Sequence, residues 1–225
     1  MSAPVAAGPL EDLRSWILSH HGETVDPDRL AYVRAELERI AADAVPGPVV
    51  ELGCFRGAMT LWMRAVLDAL GENREIHVFD SFEGLPESTE ADEIVLPRGV
   101  LAATVQDVAA TFRAWGKAEP LYHPGWFEDT LAARLPDRIA FGYLDGDLYS
   151  STAVSLRECV PRLVPGGALI LDDYADPAAV DGVLVKLPGV KRAADDHFGS
   201  PSPVRALAGP PGLALGRYLA PPAKP

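Results

Sequence analysis

Leu30, Val33, Leu37 and Ile40 recur at helical spacing through an otherwise polar stretch, so residues 27 to 44 read as an amphipathic helix, with Asp26 placed to cap it ahead of Pro27. Pro46-Gly-Pro48 ends that helix, and Val49-Val-Glu-Leu-Gly53 reads as a short buried strand running into a glycine loop. From there the pattern alternates. Helices are predicted near 58 to 70, 103 to 115, 127 to 134, 151 to 163 and 177 to 186, and strands over 75 to 79, 120 to 123, 139 to 144 and 167 to 171, with 81 to 100 irregular. This alternation implies an α/β fold, a mostly parallel sheet covered by helices on both faces. Gly189 to Phe198 and Leu213 to Leu219 have no helix-sized segment between them and are expected to close the fold as an antiparallel pair.

With 225 residues, 48% of them hydrophobic, the chain can bury one substantial core. The expected organisation is an N-terminal helical segment over 1–45, one domain over 46–220 and a frayed, proline-rich tail over 221–225. No apolar run reaches the roughly 18 residues of a bilayer span, and the first ten residues lack the basic start of a secretory signal, so a cytoplasmic location is expected. The formal charge of −12 disfavours a nucleic acid or an anionic membrane as partner and suits a neutral or cationic small molecule. Cys54 and Cys159 are the two cysteines, without metal-ligand spacing, and support neither a zinc site nor a disulfide framework.

The candidate chemistry lies at predicted strand ends, where an open α/β sheet binds its ligands. Asp145 and Asp147 follow Phe141-Gly-Tyr-Leu144, and Asp172 and Asp173 follow Gly167-Ala-Leu-Ile-Leu171. Converging carboxylates repel one another unless protons, a cation or basic partners offset them. Hard oxygen donors without histidine or cysteine favour Mg²⁺, with Mn²⁺ or Ca²⁺ as competitors. Asp147 can be a fourth ligand, a substrate contact or a general base. Upstream, Glu51-Leu-Gly-Cys-Phe-Arg-Gly57 follows the first strand, and Asp80 ends the second, where a carboxylate can grip a ribose diol. Phe55 stands where a dinucleotide fingerprint needs its second glycine, which obstructs a pyrophosphate and, with no recognisable catalytic Tyr/Lys or His pair, opposes an NAD-dependent oxidoreductase.

Glu51 to Gly57, Phe79-Asp-Ser-Phe-Glu-Gly-Leu-Pro86, Gly125-Trp-Phe-Glu-Asp-Thr-Leu131, Leu144 to Thr152 and Pro165 to Tyr174 together resemble the macrocin O-methyltransferase family, over roughly residues 48 to 185. The resemblance implies a class I methyltransferase (Rossmann-like) fold of seven strands, mostly parallel with an antiparallel C-terminal strand. It also implies S-adenosyl-L-methionine as donor and a divalent metal that binds a small-molecule acceptor through a hydroxyl of a sugar or aromatic ring. By position, Glu51, Gly53 and Gly57 would line the methionine part of the donor, with Asp145 also beside it. Asp80 would hold the ribose, and Ser81, Gly125, Trp126 and Phe127 would surround adenine. Asp145, Asp172 and Asp173 look like the metal triad, and Asp147 matches a proposed general base. His197 is the alternative base, while His20, His21 and His123 read as structural. A homodimer is expected, with residues 1–45 contributing to the acceptor site or to oligomer contacts.

Three rival readings remain. Asp145-Gly-Asp147 also resembles the D-x-D signature of haloacid-dehalogenase-like phosphatases, but it lies late in the chain, is followed by Tyr149 where a hydroxyl residue is usual, and lacks the expected lysine between the acidic motifs. A non-catalytic protein that keeps the cofactor fold is opposed by the intact acids. N-methylation of a similar acceptor stays open.

Overall fold

The computed structural model describes residues 8–222. Two helices, α1 (Pro9–His20) and α2 (Pro27–Ala42), precede the sheet, and Asp26 caps α2 by accepting a 2.8 Å hydrogen bond from the Arg29 amide. The alternating part comprises β1 (Val49–Leu52), α3 (Ala58–Ala69), β2 (Ile76–Asp80), α4 (Val105–Ala114), β3 (Leu121–Pro124), α5 (Phe127–Arg134), β4 (Ile139–Leu144), α6 (Tyr149–Cys159) and β5 (Leu163–Asp172). After it come α7 (Pro188–Phe198), the two-residue β6 (Arg205–Ala206) and β7 (Leu215–Leu219).

The strands form one seven-stranded sheet in the order β3-β2-β1-β4-β5-β7-β6, parallel from β3 through β5, with β7 antiparallel to both β5 and β6. Alternate residues of each strand point to opposite faces. Val49, Phe141, Tyr143, Ala168 and Ile170 therefore pack with α1, α2 and α3. Val50, Leu52, Leu144, Leu169 and Leu171 pack with α5, α6 and α7. Both cysteines are buried and free.

Two expectations at the C-terminal end are corrected. Residues 177–186 are turns rather than a helix: none of them is buried, so no apolar stripe exists to dock one, and Gly182 takes φ 73°. Gly189 to Phe198 is not a strand but most of α7, which opens on Pro188 and buries Val190, Ala193 and Ala194 at helical spacing. The antiparallel partners of Leu215–Leu219 are accordingly β5 and β6. Pro221 and Pro222 are exposed and irregular, and the rest of the expected frayed tail lies outside the described residues.

The irregular segment between β2 and α4 is pinned at its middle. Asp92, 1% exposed, accepts from the Thr89 amide at 2.7 Å and from the Tyr149 amide, at the start of α6, at 2.5 Å. A Cβ on Gly189 of α7 would lie 2.7 Å from the same carboxylate, so the segment, α6 and α7 meet at one point.

Candidate active site

Strand order turns outward from the β1–β4 pair, and the crevice beyond their carboxyl ends is where such a sheet receives ligands. A cleft of about 570 Å³ opens there. The glycine loop and the first acidic loop touch at its base: the Asp145 amide donates to the Leu52 carbonyl at 2.8 Å, and a Cβ on Gly53 would lie 1.8 Å from the Asp145 carbonyl oxygen. Only glycine permits that approach. Phe55, at φ 48°, carries the loop through the left-handed region, and Asp80 steadies it by accepting from the amides of Cys54 at 2.8 Å and Phe55 at 3.1 Å.

Glu51, Gly53, Asp80, Ser81, Trp126, Phe127, Asp145, Asp147, Asp172 and Asp173 all line this cleft. Glu51 is 1% exposed and accepts a hydrogen bond from Thr60; burial, with Asp80 adding to it, pushes its carboxyl up to about 8. Ser81 donates to the Gly84 carbonyl at 2.8 Å. Gly57 and Gly125 stand behind the lining, Gly57 against Val108 and Gly125 with its amide on the Asp80 carbonyl at 2.9 Å. His197 is placed elsewhere, on the exposed last turn of α7 with its ring edge against Phe198, and the structure does not bring it to the acids.

The four aspartates do converge. One oxygen each from Asp145, Asp147 and Asp173 lies within 4.8 Å of the others. Asp147 and Asp173 hold their loops at φ 57° and 55°, left-handed conformations that cost non-glycine residues free energy and that cluster at functional sites. Burial and then Asp172 raise all three carboxyls, Asp147 to about 7, Asp173 to about 8 and Asp145 well above the ordinary carboxylate range. An all-oxygen set that resists shedding its protons is short of positive charge, and a hard divalent cation fits it.

Asp172 is held by partners the sequence did not reveal. Arg29 Nε donates to its two oxygens at 2.7 and 3.1 Å, and the Tyr143 hydroxyl donates at 2.6 Å. Arg29 also reaches Asp26 and, at 3.3 Å, Asp173. Burial disfavours its charge, but Asp172, Tyr143, Asp173 and Asp26 outweigh that and keep it a cation. Arg29 lies 143 residues from Asp172, and its helix reads locally as an ordinary amphipathic one. His21, read as structural, also lines the cleft, 6% exposed.

A seven-stranded sheet of this order, with a glycine loop after β1, an acid ending β2 and a cleft over the β1 and β4 ends, defines the class I methyltransferase fold. The solved O-methyltransferase NovP shares it at TM-score 0.74 and 29% identity, covering 86% of this chain and 79% of that one. The calicheamicin methyltransferase CalS11 shares the fold at TM-score 0.70 and 20% identity, covering 97% and 94%. The sequence profile of the macrocin-O-methyltransferase (TylF) family matches residues 20–186, and the chain belongs to that family.

Among curated relatives, the 8-demethyl-8-(2,3-dimethoxy-alpha-L-rhamnosyl)-tetracenomycin-C 4'-O-methyltransferase of Streptomyces olivaceus is 44% identical over 167 residues, 69% of this chain and 62% of that protein. The mycinamicin III 3''-O-methyltransferase of Micromonospora griseorubida is 34% identical over 172 residues, 69% of this chain and 66% of that protein. The chain thus matches a little under two thirds of each relative's length. Among the described residues no helix is long and apolar enough to cross a membrane.

Proposed function

We propose that this chain transfers a methyl group from S-adenosylmethionine to a hydroxyl of a sugar or aromatic moiety on a small molecule, in the biosynthesis of an antibiotic-like natural product. The observation that carries the reading is the meeting of the glycine loop with the acid cluster in one cleft, since methyl transfer needs the sulfonium and the oxygen nucleophile held in line. The relatives named above are O-methyltransferases by their own descriptions, one of them acting on a rhamnosyl-tetracenomycin, which favours oxygen over nitrogen as the acceptor atom.

In this reading Glu51 and Gly53 border the methionine part of the donor with Gly57 behind them, Asp80 borders the ribose, and Ser81, Trp126 and Phe127 border adenine, with Gly125 supporting that wall from behind. Asp145, Asp172 and Asp173 hold a divalent cation, Mg²⁺ or Mn²⁺. When bound, that ion offsets the acids' charge and lowers the pKa of an acceptor hydroxyl. Asp147, whose carboxyl titrates near neutrality, takes the hydroxyl proton as the carbon–oxygen bond forms and the carbon–sulfur bond breaks, leaving S-adenosylhomocysteine.

A second arrangement is favoured by one observation: Asp145, Asp147 and Asp173 present the mutually close oxygens, while Asp172 is engaged by Arg29 and Tyr143. There Asp147 is the third ligand and Asp172 the anchor. Mn²⁺ titration followed by electron paramagnetic resonance separates the two, since Asp172→Asn loses the ion in the first and Asp147→Asn in the second. The function itself is tested by calorimetry with S-adenosylhomocysteine and by label transfer from methyl-labelled donor to a rhamnosylated aromatic polyketide, with and without chelator. A protein that binds no donor product refutes the assignment, and full turnover after chelation refutes the metal.

A further inference from the structure

Asp172 takes four hydrogen-bond contacts from three donors. Arg29 Nε lies 2.7 Å from Oδ1 and 3.1 Å from Oδ2, which sets it in front of the edge where both oxygens would grip one cation. The Asp173 amide donates to Oδ1 at 2.9 Å, and the Tyr143 hydroxyl donates to Oδ2 at 2.6 Å. A carboxylate has about four lone-pair sites. Oδ1 is therefore filled, and Oδ2 keeps at most the one lone pair that Arg29 reaches through its longer contact.

The clamp is built into the fold. Tyr143 of β4 pairs with Ile170 of β5, so Asp172 is its diagonal neighbour on the same face of the sheet, within reach of a tyrosine hydroxyl. Tyr143 and Arg29 are both buried, so neither side chain is free to turn away. A hydroxyl facing a carboxylate that already receives a guanidinium acts as the donor. The arrangement limits what Asp172 can offer a cation. Ca²⁺ takes about six to eight oxygens and readily uses both oxygens of one carboxylate, whereas Mg²⁺ demands a small octahedron, keeps several waters and needs few protein oxygens. Mn²⁺ suits the same octahedral oxygen set.

We propose that the clamp of Arg29 and Tyr143 on Asp172 sets the selectivity of the cation site: by withholding a bidentate carboxylate it favours Mg²⁺ or Mn²⁺ over Ca²⁺. This rests on the cation assigned above, whichever of the two ligand sets holds it. Tyr143 is the positioning residue, fixing the turn of the Asp172 carboxylate about its own bond to the chain. It touches no reacting atom, and its element reads as an ordinary buried strand.

The test is competition between Ca²⁺ and Mn²⁺, the bound Mn²⁺ followed by electron paramagnetic resonance, in the full chain and in Tyr143→Phe, which removes one hydroxyl and keeps the ring. The unaltered chain is expected to hold Mn²⁺ more tightly than Ca²⁺. Tyr143→Phe is expected to lose roughly tenfold of that preference, the low end of what a lost hydrogen bond to a metal-site carboxylate costs, because Ca²⁺ gains access to an oxygen that the hydroxyl held. A purely structural residue would weaken both ions alike. An unaltered chain that prefers Ca²⁺, or a variant that keeps the parental ratio, overturns the proposal. Titration with S-adenosylhomocysteine in chelator checks the variant's cleft and is expected to match the parent; its loss together with both ions makes Tyr143 a structural residue and likewise overturns the proposal. An unaltered chain that binds neither ion overturns the cation assignment itself.

Discussion

Arg29 on α2 and Asp172 at the end of β5 meet through a single nitrogen, Nε donating to Oδ1 at 2.7 Å and to Oδ2 at 3.1 Å, both side chains buried. The guanidinium joins the N-terminal helices to the acid cluster and supplies the cluster's internal counter-charge. Removing one member of a buried ion pair strands the other.

Arg29→Met is therefore expected to destabilise the protein by about 3–5 kcal/mol in urea unfolding without divalent ions. Mn²⁺ is expected to restore more stability to the variant than it adds to the unaltered protein, because it replaces the missing charge. Equal Mn²⁺ stabilisation of the two would show that Arg29 does not serve as counter-ion.

Gly53→Ala places a methyl group 1.8 Å from the Asp145 carbonyl oxygen, at a position that already has φ 89°. The backbone must part there, at a cost on the order of 3 kcal/mol from left-handed strain and displacement together. S-adenosylhomocysteine affinity is expected to fall below detection in calorimetry. Parental stability with parental affinity would mean the loops do not pass as described.

The raised carboxyl of Glu51 sets a pH trend. Its pKa moves from 4.5 in the unfolded chain to about 8 in the fold, so between those values the folded state keeps a proton that the unfolded state has released. Stability then falls as pH rises through that window. Asp147 and Asp173, raised from 3.8 to about 7 and about 8, act in the same direction while no cation is bound. Urea midpoints in chelator are expected to drop from about pH 5 to about pH 8. Glu51→Gln should shrink the drop, as should Mg²⁺; a midpoint that rises with pH contradicts this account.

Asp92→Ala leaves the Thr89 and Tyr149 amides without their acceptor in a buried position. A loss of about 1–3 kcal/mol is expected. Protease cleavage should begin within residues 81–104, and the acceptor KM should rise while donor affinity holds. Unchanged proteolysis would show that the pin does not hold this segment.

The inner parallel strands were legible because they are largely apolar runs with Gly, Pro or Asp at their ends, while the exposed edge strand β3 showed itself only through its place in the alternation. The acids were legible because they end two such runs. The C-terminal region misled because Pro177-Ala-Ala-Val180 has helical composition but nothing to bury against, whereas Val190, Ala193 and Ala194 form a narrow stripe that is easily missed beside Lys191 and Arg192. Arg29, Tyr143 and His21 escaped for another reason. Each is unremarkable in its own element: Tyr143 is one more buried residue of β4, and Arg29 and His21 reach the cleft only because the N-terminal helices pack against the sheet.

In the proposed assignment, the contact of Gly53 with the Asp145 carbonyl would also tie two binding events together. Donor on the glycine loop and cation on the acids would share a backbone junction too close for a single added methyl group. Whatever factor donor occupancy adds to cation affinity, the cation must return to the donor, since coupling between two equilibrium sites is reciprocal. A shift of either loop at that junction would then be felt in both affinities at once.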